Sequence, residues 1–316
     1  MLPENRPFRF AVQVRSSSSY EEWTAKARHA EELGYSALLM PDHFGNQLSP
    51  IPAIMSAANA TSTLRVGTYV LSNDFRHPAQ LAKEVATIDL LSGGRCEPGI
   101  GAGWDVNDYT QIGMTLDPPG VRLARLEEAV QIMKALFREE PVSYSGKYYS
   151  IDNLRGTPRP VQQPGPPIMI GGGGKRLLSL AAREADIIGL GPKIGADGVP
   201  SVASISAPAT AEKVGWVREA AGERWRDLEI NIFVYTVTLT DTPVTGRERV
   251  IEELLAENPE YTAELLSTNP HTLIGTLDEV VEQLQSRRKE YGISYITVPE
   301  YNMENLAPVV AVLAGK

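Results

Sequence analysis

Short β-branched runs alternate with helix-patterned stretches from one end of the chain to the other, and this alternation limits the fold more than any single residue does. A strand, a covering helix and a second strand parallel to the first make a βαβ unit, so repeated alternation implies a parallel sheet wrapped in helices. Eight such units can be read. Strand 8–14 leads through Ser16 to Ser19, which supply turn and cap chemistry, into a helix over 20–33 that stops at Gly34. Strand 36–40 ends in Pro41-Asp42-His43-Phe44 and precedes a helix near 52–60. Strand 64–71 is followed by a loop and by Pro78, whose missing amide proton is harmless in the first turn of a helix reaching Leu91.

Strand 95–100 runs into Gly101-Ala102-Gly103, then an irregular stretch to Gly120 and a helix over 121–137. Leu123, Leu126, Val130 and Met133 mark the apolar face of that helix. Residues 142–151 read as a small hairpin outside the barrel count, and 158–167 as a proline-rich connector. Strand 168–170 enters four glycines and a helix over 175–184. After strand 187–190, residues 191–208 are rich in Gly, Pro, Ser and Ala and are expected to form a mobile loop. A helix over 210–221, a strand over 228–239, a helical region over 244–267, a helix over 277–291, strand 295–298 and a helix near 304–313 complete the series. Eight strands and eight helices predict a closed (β/α)8 TIM barrel with loop insertions, one domain over 1–316; an open doubly wound sheet is the alternative.

Composition narrows the partners. With 30 Lys and Arg against 39 Asp and Glu, the net charge of -9 disfavours nucleic acid and anionic membrane surfaces, which leaves a small molecule. No apolar run reaches the roughly 20 residues that span a bilayer, and residues 1–9 lack a signal-peptide core, so the expected location is the cytoplasm. The single cysteine, Cys96, reads as an inert buried thiol. There is no HExxH, no CxxC, no Gly-x-Ser-x-Gly and no Gly-x-Gly-x-x-Gly after the first strand, so metal, hydrolase and Rossmann readings are disfavoured.

Parallel α/β folds bind ligands beyond the carboxyl ends of their strands. That filter selects four glycines, Gly171 to Gly174, before a helix whose first turn carries Lys175 and Arg176; such a turn exposes backbone amides at a positive helix end and reads as an anion site. It also selects Gly101-Ala102-Gly103, where a planar group or phosphate can approach the backbone, with Trp104 offering an aromatic face. Asp42-His43 follows the second strand, and His43 is the candidate for proton transfer. His77, followed by Pro78, fits a loop-fixing role as well as a site role.

Taken together, several stretches resemble the luciferase-like monooxygenase superfamily and, within it, the coenzyme F420-dependent oxidoreductases of actinobacteria. They are Glu32-Leu33-Gly34-Tyr35 with Pro41 to Phe44, Arg65 to Thr68 with Phe75 to Pro78, Asp89 to Arg95 leading to Gly99 to Trp104, Pro166 to Gly174, and Ala185 to Ile187. The resemblance implies a barrel holding a reduced flavin or deazaflavin in its mouth, phosphate at the glycine run, and a cis peptide at Tyr69-Val70 beside the ring. It implies hydride transfer between coenzyme F420 and an unidentified small organic substrate, with His43 catalytic. The cofactor-binding set would be Asp42, Tyr69, Val70, Gly101, Ala102, Gly103, Trp104, Gly171, Gly172, Gly173, Gly174 and Lys175. Sugar-phosphate-oxidising relatives carry a glutamate where this chain has Trp104, which leaves Asp105 or Asp108 to supply an acid. An FMN-dependent monooxygenase fed by a separate flavin reductase, and a non-catalytic flavin-binding protein, are the alternatives. A homodimer is expected on the same ground.

Overall fold

The computed structural model describes residues 3–195, 198–257 and 260–316. Eight strands form its centre: β1 (Arg9–Gln13), β2 (Ala37–Met40), β3 (Arg65–Thr68 and Leu71–Ser72), β4 (Cys96–Glu97 and Gly99–Gly101), β5 (Met169–Gly172), β6 (Ile187–Leu190), β7 (Glu229–Phe233) and β8 (Ile293–Pro299). All pair in parallel, each with its sequence neighbour, and β8 pairs back onto β1. The first halves of β3 and β4 pair at one end of the sheet and their second halves at the other, so the sheet closes on itself. The predicted barrel is therefore present, and the open-sheet alternative falls.

A helix follows every strand: Tyr20–Glu32, Pro50–Ala60, Pro78–Leu91, Pro119–Leu136, Lys175–Glu184, Ala207–Ala221, Leu277–Tyr291 and Met303–Leu313. Their starts are chemically marked. Ser19 Oγ accepts the Glu22 amide, and His77 Nδ1 accepts the Ala79 amide ahead of Pro78, so His77 fixes a helix start. Alternation along β1 divides the core: Phe10 and Val12 pack outward under the helices, while Ala11 joins Leu39, Met169, Ile187 and Tyr295 inside the barrel. At the N-terminal end of the strands Arg9 bridges Glu97 and Glu229, each at 2.6 Å, and its guanidinium lies 4.3 Å from the Tyr295 ring centroid. Burial opposes the Glu97 charge, yet Arg9 and Arg65 hold its carboxyl below the ordinary glutamate value.

Three boundaries differ from the sequence reading. The strand expected over 228–239 breaks after Phe233; Thr236–Leu239 leaves the barrel and pairs with Thr272–Gly275, a strand the sequence reading missed. The helical region over 244–267 resolves into Thr245–Glu257 and Ala263–Thr268, with 258 and 259 outside the described residues. The stretch before Gly120 contains a short helix, Val106–Gln111. The hairpin is Val142–Ser145 with Ser150–Leu154, and Cys96 is buried, its thiol pushed up by that burial. Within 191–208, where 196 and 197 lie outside the described residues, Ile194 bridges Pro200 and the Lys193 amide donates to Ser204. Lys213 Nζ donates at 2.6 Å to both the Gly191 and Ser204 carbonyls, so this segment is clasped at two points. No helix among the described residues is long and apolar enough to cross a membrane.

Candidate active site

His43 stands three residues past β2, on the rim formed by the strands' C-terminal ends. Its Nδ1 lies 2.6 Å from Asp108 Oδ2, and the other oxygen of that carboxylate accepts the Phe44 amide at 3.0 Å. Asp108 is buried on the Val106–Gln111 helix, whose start Asp105 caps by accepting the Asn107 amide at 2.9 Å. A carboxylate accepting from Nδ1–H leaves Nε2 of a neutral imidazole as a bare acceptor. The His43 side chain keeps 27% of its surface open, so that acceptor is reachable. Trp104 meets the ring edge-on, with centroids 5.8 Å apart. His43, Asp105 and Asp108 bring ligand atoms within 4.8 Å of one another, but the imidazole bond and the helix cap already engage all three.

Asp42 points elsewhere. Arg76 grips its carboxylate through two nitrogens at 2.5 and 3.1 Å, and the Ser72 amide donates to it at 3.0 Å, so Asp42 ties the β2 and β3 loops together. Between those loops Tyr69-Val70 is a cis peptide, as the family resemblance implied. Val70 fills a socket made by missing side chains: a Cβ on Gly99, Gly101 or Gly171 would lie 2.9, 2.8 or 3.4 Å from a Val70 methyl carbon. Gly103 has φ +73°, and a Cβ there would strike the Tyr109 hydroxyl and Ser72 Oγ. Arg122 donates to the Ala102 and Gly103 carbonyls. The close approach expected at Gly101-Ala102-Gly103 is thus made by the chain's own side chains.

Among the four glycines the surroundings differ. A side chain on Gly172 would meet Leu177, and one on Gly173 would meet the carbonyls of Gly191 and Pro192. Gly174 has nothing within 4 Å of its Cβ position and begins the Lys175–Glu184 helix without a side-chain cap. The first-turn amides therefore have no side-chain cap, and the Cβ side of Gly174 opens onto free space. Lys175 is exposed, its ammonium 3.7 Å from Glu219.

Across the mouth, Tyr69 packs on Phe233, Phe233 on Tyr235 and Tyr235 on His271, with centroid separations of 5.4, 5.0 and 5.8 Å. Gln13 Nε2 donates to the Tyr69 carbonyl at 3.2 Å, while its buried Oε1 has no partner. Burial pushes the Tyr69 phenol up and His271 down to about 3; the His271 Nδ1 contact to the Phe233 carbonyl and the nearby Lys213 charge act in opposite senses. Asp108 as a partner of His43, Arg76, Gln13 and His271 were not singled out with these roles by sequence. The acid pair Asp105 and Asp108 at helical spacing was the available signal for the first.

A barrel with a histidine, an open glycine-run turn and a cis-peptide bulge on its C-terminal rim defines a class, and the comparisons agree. The family model for luciferase-like monooxygenases matches residues 6–213, and the chain belongs to that family. Over 168 residues it is 36% identical to an F420-dependent glucose-6-phosphate dehydrogenase of Kineococcus radiotolerans, a match covering 51% of this chain and 49% of that one. Over 178 residues it is 30% identical to a 5,10-methylenetetrahydromethanopterin reductase of Archaeoglobus fulgidus, covering 56% and 51%. The matches thus span about half the length of these curated relatives. The fold superposes on a coenzyme F420 dependent tetrahydromethanopterin reductase from Methanopyrus kandleri with TM-score 0.76 and 18% identity, over 97% of this chain and 99% of the other.

Proposed function

We propose that this protein is an oxidoreductase that uses coenzyme F420 to move a hydride to or from a small organic substrate. The observation that carries this reading is the presence, on one rim, of an open, uncapped helix start at Gly174 and a histidine whose Nδ1 is committed to Asp108. The residues suit the cofactor: the free amides after Gly173 match a phosphate, and the orphaned Gln13 Oε1 is a buried acceptor awaiting a donor. Curated relatives named for F420 favour the deazaflavin over FMN.

When bound, F420 supplies the hydride acceptor or donor. Gly172 to Lys175 would hold its phosphate, with Tyr69, Val70 and Trp104 beside the ring. His43 Nε2 holds the proton of the reacting substrate group, Asp108 keeps the imidazole in the tautomer that can accept it, and the aromatic rim restricts water. We further propose the homodimer expected for the family, which the mass in solution checks. Titration with F420 and with FMN, each oxidised and reduced and followed by absorbance, tests the cofactor. Saturable binding of F420 is expected. Binding of FMN alone would overturn the reading in favour of a monooxygenase supplied by a separate reductase.

A further inference from the structure

The rim that carries His43 is unusually aromatic. Among the described residues the exposed large aromatic side chains are Tyr20, Phe44, Trp104, Tyr235 and Tyr301, and each follows the C-terminal end of a barrel strand: β1, β2, β4, β7 and β8 respectively. Four of them lie within four residues of a strand end, and Tyr20 begins the helix after β1. Leaving aromatic surface in water is unfavourable, so its concentration on the reactive rim marks a surface built to meet a ligand with apolar faces. Trp104 is the member in ring contact with His43. It touches His43 edge-on while 39% of it stays exposed, and so presents aromatic surface beside the imidazole.

The charges around His43 tell the complementary story. Arg76 is held by both oxygens of Asp42. Arg122 donates to the carbonyls of Ala102, Gly103 and Asp117. Arg125 sits 3.2 Å from Asp74 and 2.5 Å from Asp117. Binding a phosphate, with close to two negative charges, calls for cations free to form charge-assisted bonds. These three are instead used to build the loops; among the described residues the exposed cations just past barrel strands on this rim include Arg15 after β1 and Lys193 after β6.

We propose that the substrate site beside His43 takes an uncharged planar molecule with apolar faces, and that Trp104 selects it by stacking. This rests on the rim being the active site, as argued above, and sets the chain apart from its sugar-phosphate-oxidising relatives. The test is direct binding to the full chain near neutral pH, using 2-naphthol followed by fluorescence anisotropy and glucose 6-phosphate followed by calorimetry. Saturable binding of 2-naphthol is expected, indifferent to added salt, weakened about fivefold or more in Trp104→Ala and largely kept in Trp104→Phe. Glucose 6-phosphate should bind no more tightly than inorganic phosphate, which the Gly172 to Lys175 turn can hold. Glucose 6-phosphate binding about tenfold or more tighter than that of inorganic phosphate would overturn the proposal, as would 2-naphthol binding that is the same in Trp104→Ala and the parent. F420 titration of the same samples separates the two readings: absence of F420 binding beside the expected 2-naphthol pattern removes only the cofactor assignment, and the reverse pattern removes only this one.

Discussion

A carboxylate bonded to one nitrogen of an imidazole decides what the other nitrogen can do. Asp108 accepts from His43 Nδ1, which leaves Nε2 as the acceptor on the rim. In Asp108→Asn the amide can donate to Nδ1 instead and favour the wrong tautomer, so turnover should fall about a hundredfold or more while F420 affinity is unchanged. His43→Ala should lose a similar factor, and the double variant little more than either single one. Nitrogen chemical shifts of the His43 ring in parent and Asp108→Asn would report the tautomer without any turnover; identical shifts would remove Asp108 from this role. His271 gives a separate handle. Buried and neutral, it has a pKa lowered to about 3 from its ordinary 6.5, so the unfolded chain takes up its proton first. Its contribution to stability is complete above about pH 6.5 and is lost as pH falls toward 3. Denaturant midpoints measured across that window should decline in the parent, and less steeply in His271→Leu.

The turn from β5 into its helix shows how differently four identical residues can be placed. At Gly173 a methyl group would press on the backbone of Gly191 and Pro192, whereas at Gly174 it would enter open space at a φ of -93° that alanine adopts freely. Gly173→Ala is expected to weaken F420 binding about tenfold or more, because displaced amides no longer converge on a phosphate, and Gly174→Ala to change it less than about twofold. Equal effects in a titration would contradict the cradle. From sequence the run was legible as an open turn before a helix, since four glycines there leave the backbone bare. Which of them is hemmed in and which stands open was not, because Pro192 becomes a neighbour only when β5 and β6 pair. The barrel itself was legible for the same reason that strand 228–239 was misjudged. Period and β-branching report that a segment is extended, but the exchange of partners at Val234-Tyr235 depends on Thr272–Gly275, a strand too short to stand out beside the helix that follows. The pairing of Asp42 with Arg76, 34 residues away, was equally hidden.

The closed sheet has a polar floor and an aromatic rim, and the two ends answer to different demands. On the floor, Glu97 is fully buried and serves both Arg9 and Arg65. Glu97→Leu would take the paired carboxylate from Arg65 and leave Arg9 with Glu229 alone, and should destabilise the fold by about 3 kcal/mol in chemical denaturation, with F420 affinity per folded molecule unaltered. An unchanged midpoint would mean that Glu229 alone suffices for Arg9. Higher up, Val70 occupies a socket whose walls are absences on β4 and β5. The freedom of these positions to vary is therefore shared. Gly101 cannot gain a methyl group while Val70 keeps its own, yet Val70→Ala would return that room, so Gly101→Ala, harmful alone, becomes tolerable beside it. Descendants of such a chain would change these sites in linked steps or hold them fixed together, a dependence spanning 101 positions of sequence between Val70 and Gly171 that no local pattern discloses.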